Sequence, residues 1–298
     1  MIRFAKKTDL SALQSFWKEC CQETRWLHNF DEKRFAESLV LLSEEEENIS
    51  ASVIAQIKTY SFADKLCKTG VIQCLCCQEG YEAQLQNCLK LTVELLARNC
   101  LFTLWEHPDL AGEMFCFAPA YRRKRYEIKR GEFPLTTWQG LSERFQAQEI
   151  WRLYQKYTKH FSGYPQRTLQ DIENYTECLL ARGGHILCLT RKEECVAYAS
   201  FFADSECMHV EEILFCDYQA LCQLLTGLLS YSANVVFYVP AAFSLRRYSS
   251  AFHEQEEVYV ALRVNHWSLL SDWAGRKITT MHDFYKYCQK PFMTGEML

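Results

Sequence analysis

The sequence has no run of about 18 uncharged apolar residues, the length a helix needs to cross a bilayer, so no membrane-spanning helix is expected. It also has no excess of positive charge. Its 33 Lys and Arg stand against 37 Asp and Glu, giving a net charge of −4, and nothing electrostatic points to nucleic acid. An apolar leader is absent too: Met1-Ile2-Arg3-Phe4-Ala5 leads straight into charged residues. Two paired Cys-x-x-Cys units are missing, so four converging zinc ligands are not expected and no metal is assigned. These absences describe a cytoplasmic protein with neither membrane nor nucleic acid among its expected partners.

What is present suits packed cores. The 298 residues are 49% hydrophobic and 14% aromatic, enough for two domains of ordinary size and too apolar for disorder. The 16 cysteines sit mostly inside apolar segments, as in Cys74-Leu75-Cys76-Cys77, and read as small buried hydrophobes in a reducing compartment.

Alternation and helical spacing divide the first 130 or so residues into β-α-α-β-β-α-β. A strand at Ile2–Ala5 precedes a helix carrying Leu10, Leu13, Phe16 and Trp17. An amphipathic helix is expected over 31–42, then a solvated acidic turn at Ser43–Asn48, and strands at 49–60 and 71–77. The organising stretch is Val71–Tyr126. Here an apolar strand meets the polar turn Gln78-Glu79-Gly80-Tyr81-Glu82, a helix over 83–98 and a second strand at Leu101–Trp105. A strand followed by a helix whose first N–H groups face a cleft is a standard cradle for a phosphate-bearing ligand. Gly131-Glu132-Phe133-Pro134 marks a boundary, giving domains over 1–132 and 133–264 and a tail over 265–298. The second half repeats the order helix, strand, strand, strand, helix, strand.

The order of elements, with Ile2-Arg3-Phe4-Ala5-Lys6-Lys7-Thr8-Asp9-Leu10, Thr103-Leu104-Trp105-Glu106-His107-Pro108 and Ala120-Tyr121-Arg122-Arg123-Lys124-Arg125-Tyr126-Glu127, resembles the GNAT N-acetyltransferases. In the second half, Met208-His209-Val210-Glu211-Glu212-Ile213 with Asp217-Tyr218-Gln219-Ala220-Leu221 resembles the central domain of the tandem Eis-type members. The resemblance implies an α/β protein of two GNAT-like domains, each a mixed sheet flanked by helices, the second degenerate. It implies acetyl-CoA as co-substrate and a small or peptidic amine as acceptor. By position, the backbone of Leu75, Cys76 and Cys77 would meet the pantetheine amides, and Gly80, Tyr81, Gln84 and Leu85 would face the pyrophosphate. Tyr121 would protonate the departing thiolate. The family carries Arg/Gln-x-x-Gly-x-Gly/Ala in that turn, whereas this chain has Tyr81, Gln84 and Gln86 there, with Glu79 and Glu82 close by.

Each candidate has a structural alternative. Tyr121 reads equally as a packing tyrosine where a loop rejoins the sheet. The basic cluster Arg122, Arg123, Lys124, Arg125, Lys129 and Arg130 reads as a solvated loop face, or as a site for the CoA 3′-phosphate or an acidic partner. Glu106 and His107 sit where a general base would, and Leu298 where the Eis-type C-terminal carboxylate acts. Trp17, Trp26, Phe30 and Trp105 line either an acceptor pocket or a core. An inactive GNAT-like scaffold with a rebuilt pyrophosphate turn is the alternative to the enzyme, and self-association stays open.

Overall fold

The structure, a computed structural model, describes residues 1–20, 30–46, 48–106, 115–137, 139–203, 206–246 and 248–293. Its elements in order are β1 (Ile2–Phe4), α1 (Leu10–Cys20), α2 (Glu32–Ala36), β2 (Leu39–Glu45), β3 (Asn48–Phe62), β4 (Lys65–Cys77), α3 (Glu82–Asn99) and β5 (Phe102–Trp105). There follow β6 (Ala118–Lys129), β7 (Leu141–Ser142), α4 (Ala147–Thr158), β8 (Tyr164–Pro165), α5 (Leu169–Ala181), β9 (His185–Arg191), β10 (Glu194–Ala203) and β11 (Met208–Phe215). The chain ends with α6 (Tyr218–Tyr231), β12 (Asn234–Pro240), β13 (His253–Val264), α7 (Trp267–Ala274) and α8 (Met281–Cys288). Among the described residues no helix is long and apolar enough to cross a membrane.

The chain divides into two compact units. The first comprises Met1–Tyr60, Leu66–Ala120 and Tyr259–Tyr287; the second comprises Ser61–Lys65, Tyr121–Val258 and Cys288–Leu298. In the first unit β1, β2 and β3 pair antiparallel, β4 pairs parallel with β5, and the end of β13 pairs antiparallel with β5. A parallel pair needs a crossover, and α3 provides it. One core fills the α3 face with Val53, Ala55, Ile72, Leu89, Val93, Leu96 and Trp105. Another packs α1 through Leu13, Phe16 and Trp17 against Leu42, Ile54 and Cys76.

The expected helix over 31–42 is corrected by the structure. Asp31 caps α2, accepting the Arg34 N–H, but the helix stops at Ala36 and Leu39–Glu45 is a strand. Leu39-Val40-Leu41-Leu42 lies between two strands, with Arg3 opposite Leu42 and Val53 opposite Leu41, and both leucines are fully buried. A strand covered on both faces reads as a continuous apolar run, so it loses the period that separates strand from helix.

In the second unit β6 pairs antiparallel with β12, β12 parallel with β11, and β11, β10, β9 and β7 follow antiparallel. Asp217 caps α6 by accepting the Ala220 N–H, and Thr168 caps α5 in a reciprocal box with Asp171. The basic cluster is likewise corrected: Arg122 to Lys129 are not on a loop face but lie within strand β6, with Arg130 in the turn that follows. Its side chains meet the acidic start of β13, with Arg122 on Glu256, Arg123 on Glu257 at 2.5 Å, and Lys124 on Glu254 at 3.6 Å.

Fourteen of the described cysteines are free thiols, as expected. Cys76 departs from that expectation and is disulfide-bonded. Burial pushes the Cys74 and Cys67 thiols up to about 12.

Candidate functional site

The β4–β5 ladder runs from Thr69 opposite Phe102 to Ile72 opposite Trp105, and the Glu106 N–H donates to the Ile72 carbonyl at 3.3 Å. Strand β4 then runs on through Gln73 to Cys77, whereas β5 ends at Trp105. Helix α3 lies close over the strand at Gly70, where an added Cβ would fall 2.8 Å from the Leu96 side chain. The geometry of strand, turn and crossover helix therefore leads the β4 backbone to the start of α3.

The turn between them is Gln78-Glu79-Gly80-Tyr81. The Tyr81 N–H donates to the Gln78 carbonyl at 3.1 Å, and Gly80 takes φ +87°, which a residue with a Cβ adopts only with strain. Tyr81 occupies the helix N-cap position without a side-chain hydrogen bond to the first turn. First-turn N–H groups left uncapped are suited to an anion, by partial charge and by direction. One donor in the turn is already engaged, because the Gly80 N–H donates to Glu82 Oε1 at 3.2 Å. Gln84 and Leu85 are half-buried on that first turn, and the Leu85 N–H closes the helix on the Tyr81 carbonyl at 3.1 Å.

Tyr121 belongs to the second unit. Its side chain is 1% exposed, and its ring lies 5.1 Å from that of Phe292. Its hydroxyl is held against the turn at Gly163, where an added Cβ would lie 2.5 Å from the Tyr121 oxygen. The turn is fixed by the Gly163 N–H on the Ser61 carbonyl at 2.7 Å and by the Ala63 N–H on Ser162 Oγ at 3.0 Å.

Of the other candidates, Trp17, Phe30 and Trp105 are core residues. Trp17 donates its indole N–H to Ser52 Oγ at 2.8 Å and meets Phe30 edge-on at 5.1 Å, while Trp105 meets Phe117 at 5.4 Å. Trp26, His107 and Leu298 lie outside the described residues. Among the described residues no group of three or more His, Cys, Asp or Glu could hold a metal ion.

No protein-family model matches the sequence, and no curated protein matches it. Solved structures do. A conserved Enterococcus faecalis protein, a probable N-acyltransferase, superposes with a TM-score of 0.73 at 13% identity, covering 91% of this chain and 74% of that one. A GCN5-related N-acetyltransferase from Anabaena variabilis gives a TM-score of 0.69 at 10% identity, with coverage of 89% and 73%. Eis1 from Mycobacterium abscessus gives 0.60 at 12% identity, with coverage of 89% and 74%. At such identities the likeness is one of fold, and it extends over about nine-tenths of the chain. The chain therefore has the two-domain GNAT acyltransferase fold that its resemblance to the Eis-type proteins implies.

Proposed function

We propose that the protein is an acyl-CoA-dependent N-acyltransferase, with acetyl-CoA as donor and a small or peptidic amine as acceptor. The observation that carries this reading is the course of β4. It leaves its parallel ladder with β5 at Ile72 and delivers its backbone to the uncapped first turn of α3. That arrangement suits a ligand with amides at one end and phosphates at the other. Leu75, Cys76 and Cys77 would present backbone groups to the pantetheine amides, and Gly80, Tyr81, Gln84 and Leu85 would face the pyrophosphate. In the reaction the amine nitrogen bonds to the thioester carbonyl carbon and releases one proton to solvent, the carbon–sulfur bond breaks with its electron pair going to sulfur, and the sulfur takes a proton. Tyr121 is the proposed donor of that proton, on the strength of its place in the chain after β5.

The test is chromatographic detection of free CoA from acetyl-CoA and a panel of primary amines, with the Tyr121→Phe variant alongside. Amine-dependent CoA release, reduced at least 100-fold by Tyr121→Phe with acetyl-CoA binding retained, supports the proposal. Acetyl-CoA binding without release for any amine would favour the inactive scaffold. Unchanged turnover in Tyr121→Phe would remove that residue from the mechanism.

A further inference from the structure

Among the described cysteines fourteen are free thiols, and Cys76 alone is oxidised. It lies on the stretch of β4 that follows the ladder with β5, which ends with Ile72 opposite Trp105. The packing shows that β4 turns over at that point. Ile72 belongs to the α3 core with Leu89 and Trp105, whereas Cys74 and Cys76 belong to the α1 core with Leu13, Phe16 and Trp17. In a regular strand Ile72, Cys74 and Cys76 would share one face. Strand β3 alternates regularly between the same two cores, with Val53 and Ala55 on one and Ile54 on the other.

The sulfurs gather beneath this turned-over end. Cys74 Sγ lies 3.5 Å from Cys76 Sγ, and the two residues are 4% and 2% exposed. Cys20, the last residue of α1, packs half-buried against the same core. A disulfide and two thiols therefore underlie the backbone of Leu75, Cys76 and Cys77. Burial pushes the Cys74 thiol up to about 12, so it stays protonated near neutral pH and leaves the neighbouring disulfide intact.

We propose that Cys76 is a redox switch on β4: its disulfide holds the strand end in the shape that receives acyl-CoA, and reduction relaxes that end and weakens binding. The link to affinity rests on the acyl-CoA reading of β4. The reductant is a dithiol. One of its sulfurs attacks the disulfide and its second sulfur displaces the first, so the reductant ends as a cyclic disulfide. Two electrons and two protons pass to the protein, leaving Cys76 and its partner sulfur as thiols. A disulfide removes loose states of the chain that it closes, and a strand end already held loses less freedom on meeting a ligand.

The test compares the full chain purified without reductant with the same chain reduced by dithiothreitol, which is then removed under nitrogen. Alkylation of the denatured chain, read by peptide mass spectrometry, should label Cys74 and Cys77 in both samples and Cys76 only after reduction. Amide hydrogen exchange from Gln73 to Gln78 should rise about tenfold on reduction, a readout that needs no ligand. Acetyl-CoA should bind the reduced chain about tenfold more weakly by calorimetry. In Cys76→Ser the two treatments should give one affinity and one exchange pattern. Cys76 alkylated before reduction, or exchange and affinity alike in both samples of the parent, would overturn the proposal. An exchange difference without acetyl-CoA binding in either sample would keep the switch and remove the acyl-CoA reading instead.

Discussion

Glu82 Oε1 accepts the backbone N–H of Gly80 at 3.2 Å, so the turn that leads into α3 closes on its own carboxylate. In an anion cradle that N–H would be turned to the ligand. The carboxylate also places negative charge at the positive end of the helix, which steadies α3 and repels a phosphate there. Both groups are exposed, so the contact is weak enough for a ligand to displace.

The consequence is a trade between affinity and stability at one residue. Glu82→Gln should tighten acetyl-CoA binding by about tenfold, the equivalent of 1.4 kcal/mol, by removing the like charge. It should lower unfolding stability by about 0.5 kcal/mol through loss of the helix-end charge. Isothermal titration and urea unfolding of the one variant measure both, and a fall in affinity would show that Glu82 assists the anion.

Gly163 is held by conformation and by space together. Its φ of +66° strains any residue with a Cβ, and the added atom would press on the Tyr121 oxygen. Gly163→Ala should cost about 1–3 kcal/mol, read as a lower denaturant midpoint at unchanged slope. With Tyr121 as the acid it should also lower kcat; stability lost with kcat unchanged would leave Tyr121 a packing residue.

The second unit buries a charged pair on which its core depends. Arg167 Nη1 donates to Glu212 Oε1 at 2.8 Å, their side chains are 8% and 1% exposed, and the guanidinium lies 5.0 Å from the Tyr154 ring. Removing one partner leaves the other's charge buried alone, so Glu212→Gln should destabilise by about 3–5 kcal/mol. The double variant Arg167→Met with Glu212→Gln should lose less than the two single losses combined. Additive losses in a double-mutant cycle would show that the pair is not coupled.

Acid should loosen the first unit at Arg3. Arg3 donates to Asp9 at 2.6 Å and also to Glu44, and the hydrogen bond from Arg3 holds the Asp9 carboxyl below its ordinary value of 3.8. Because the folded value is depressed, the contribution is complete above that ordinary value and is lost as pH falls through the folded one. Asp9→Asn should therefore cost about 1 kcal/mol at neutral pH, and the difference from the parent should close at acid pH. Unfolding curves at pH 7 and pH 3 check it; a gap that widens with acid would contradict it.

Much of the fold was legible because its signals are local. Asp217 and Thr168 announce their helices by capping, and the strands from His185 to Phe215 are short apolar runs set apart by polar residues. Leu39–Leu42 was illegible because a strand buried on both faces carries no period. The hairpin between β3 and β4 was missed because Ala63 and Asp64, at φ 49° and 62°, make its turn without a glycine. At the candidate site Gly80 and its neighbours could be named from position. The Glu82 contact and the Gly163 turn against Tyr121 could not, since the first depends on a rotamer and the second joins residues far apart in the chain.

The central claim is that β4 and the start of α3 still receive an acyl-CoA although the turn between them is rebuilt. Calorimetric titration of the full chain with acetyl-CoA tests it most directly. The account predicts saturable one-to-one binding with Kd below about 1 mM, and hence about 2.7 kcal/mol of added stability at one hundred times that concentration. No heat and no thermal shift at millimolar acetyl-CoA would contradict it.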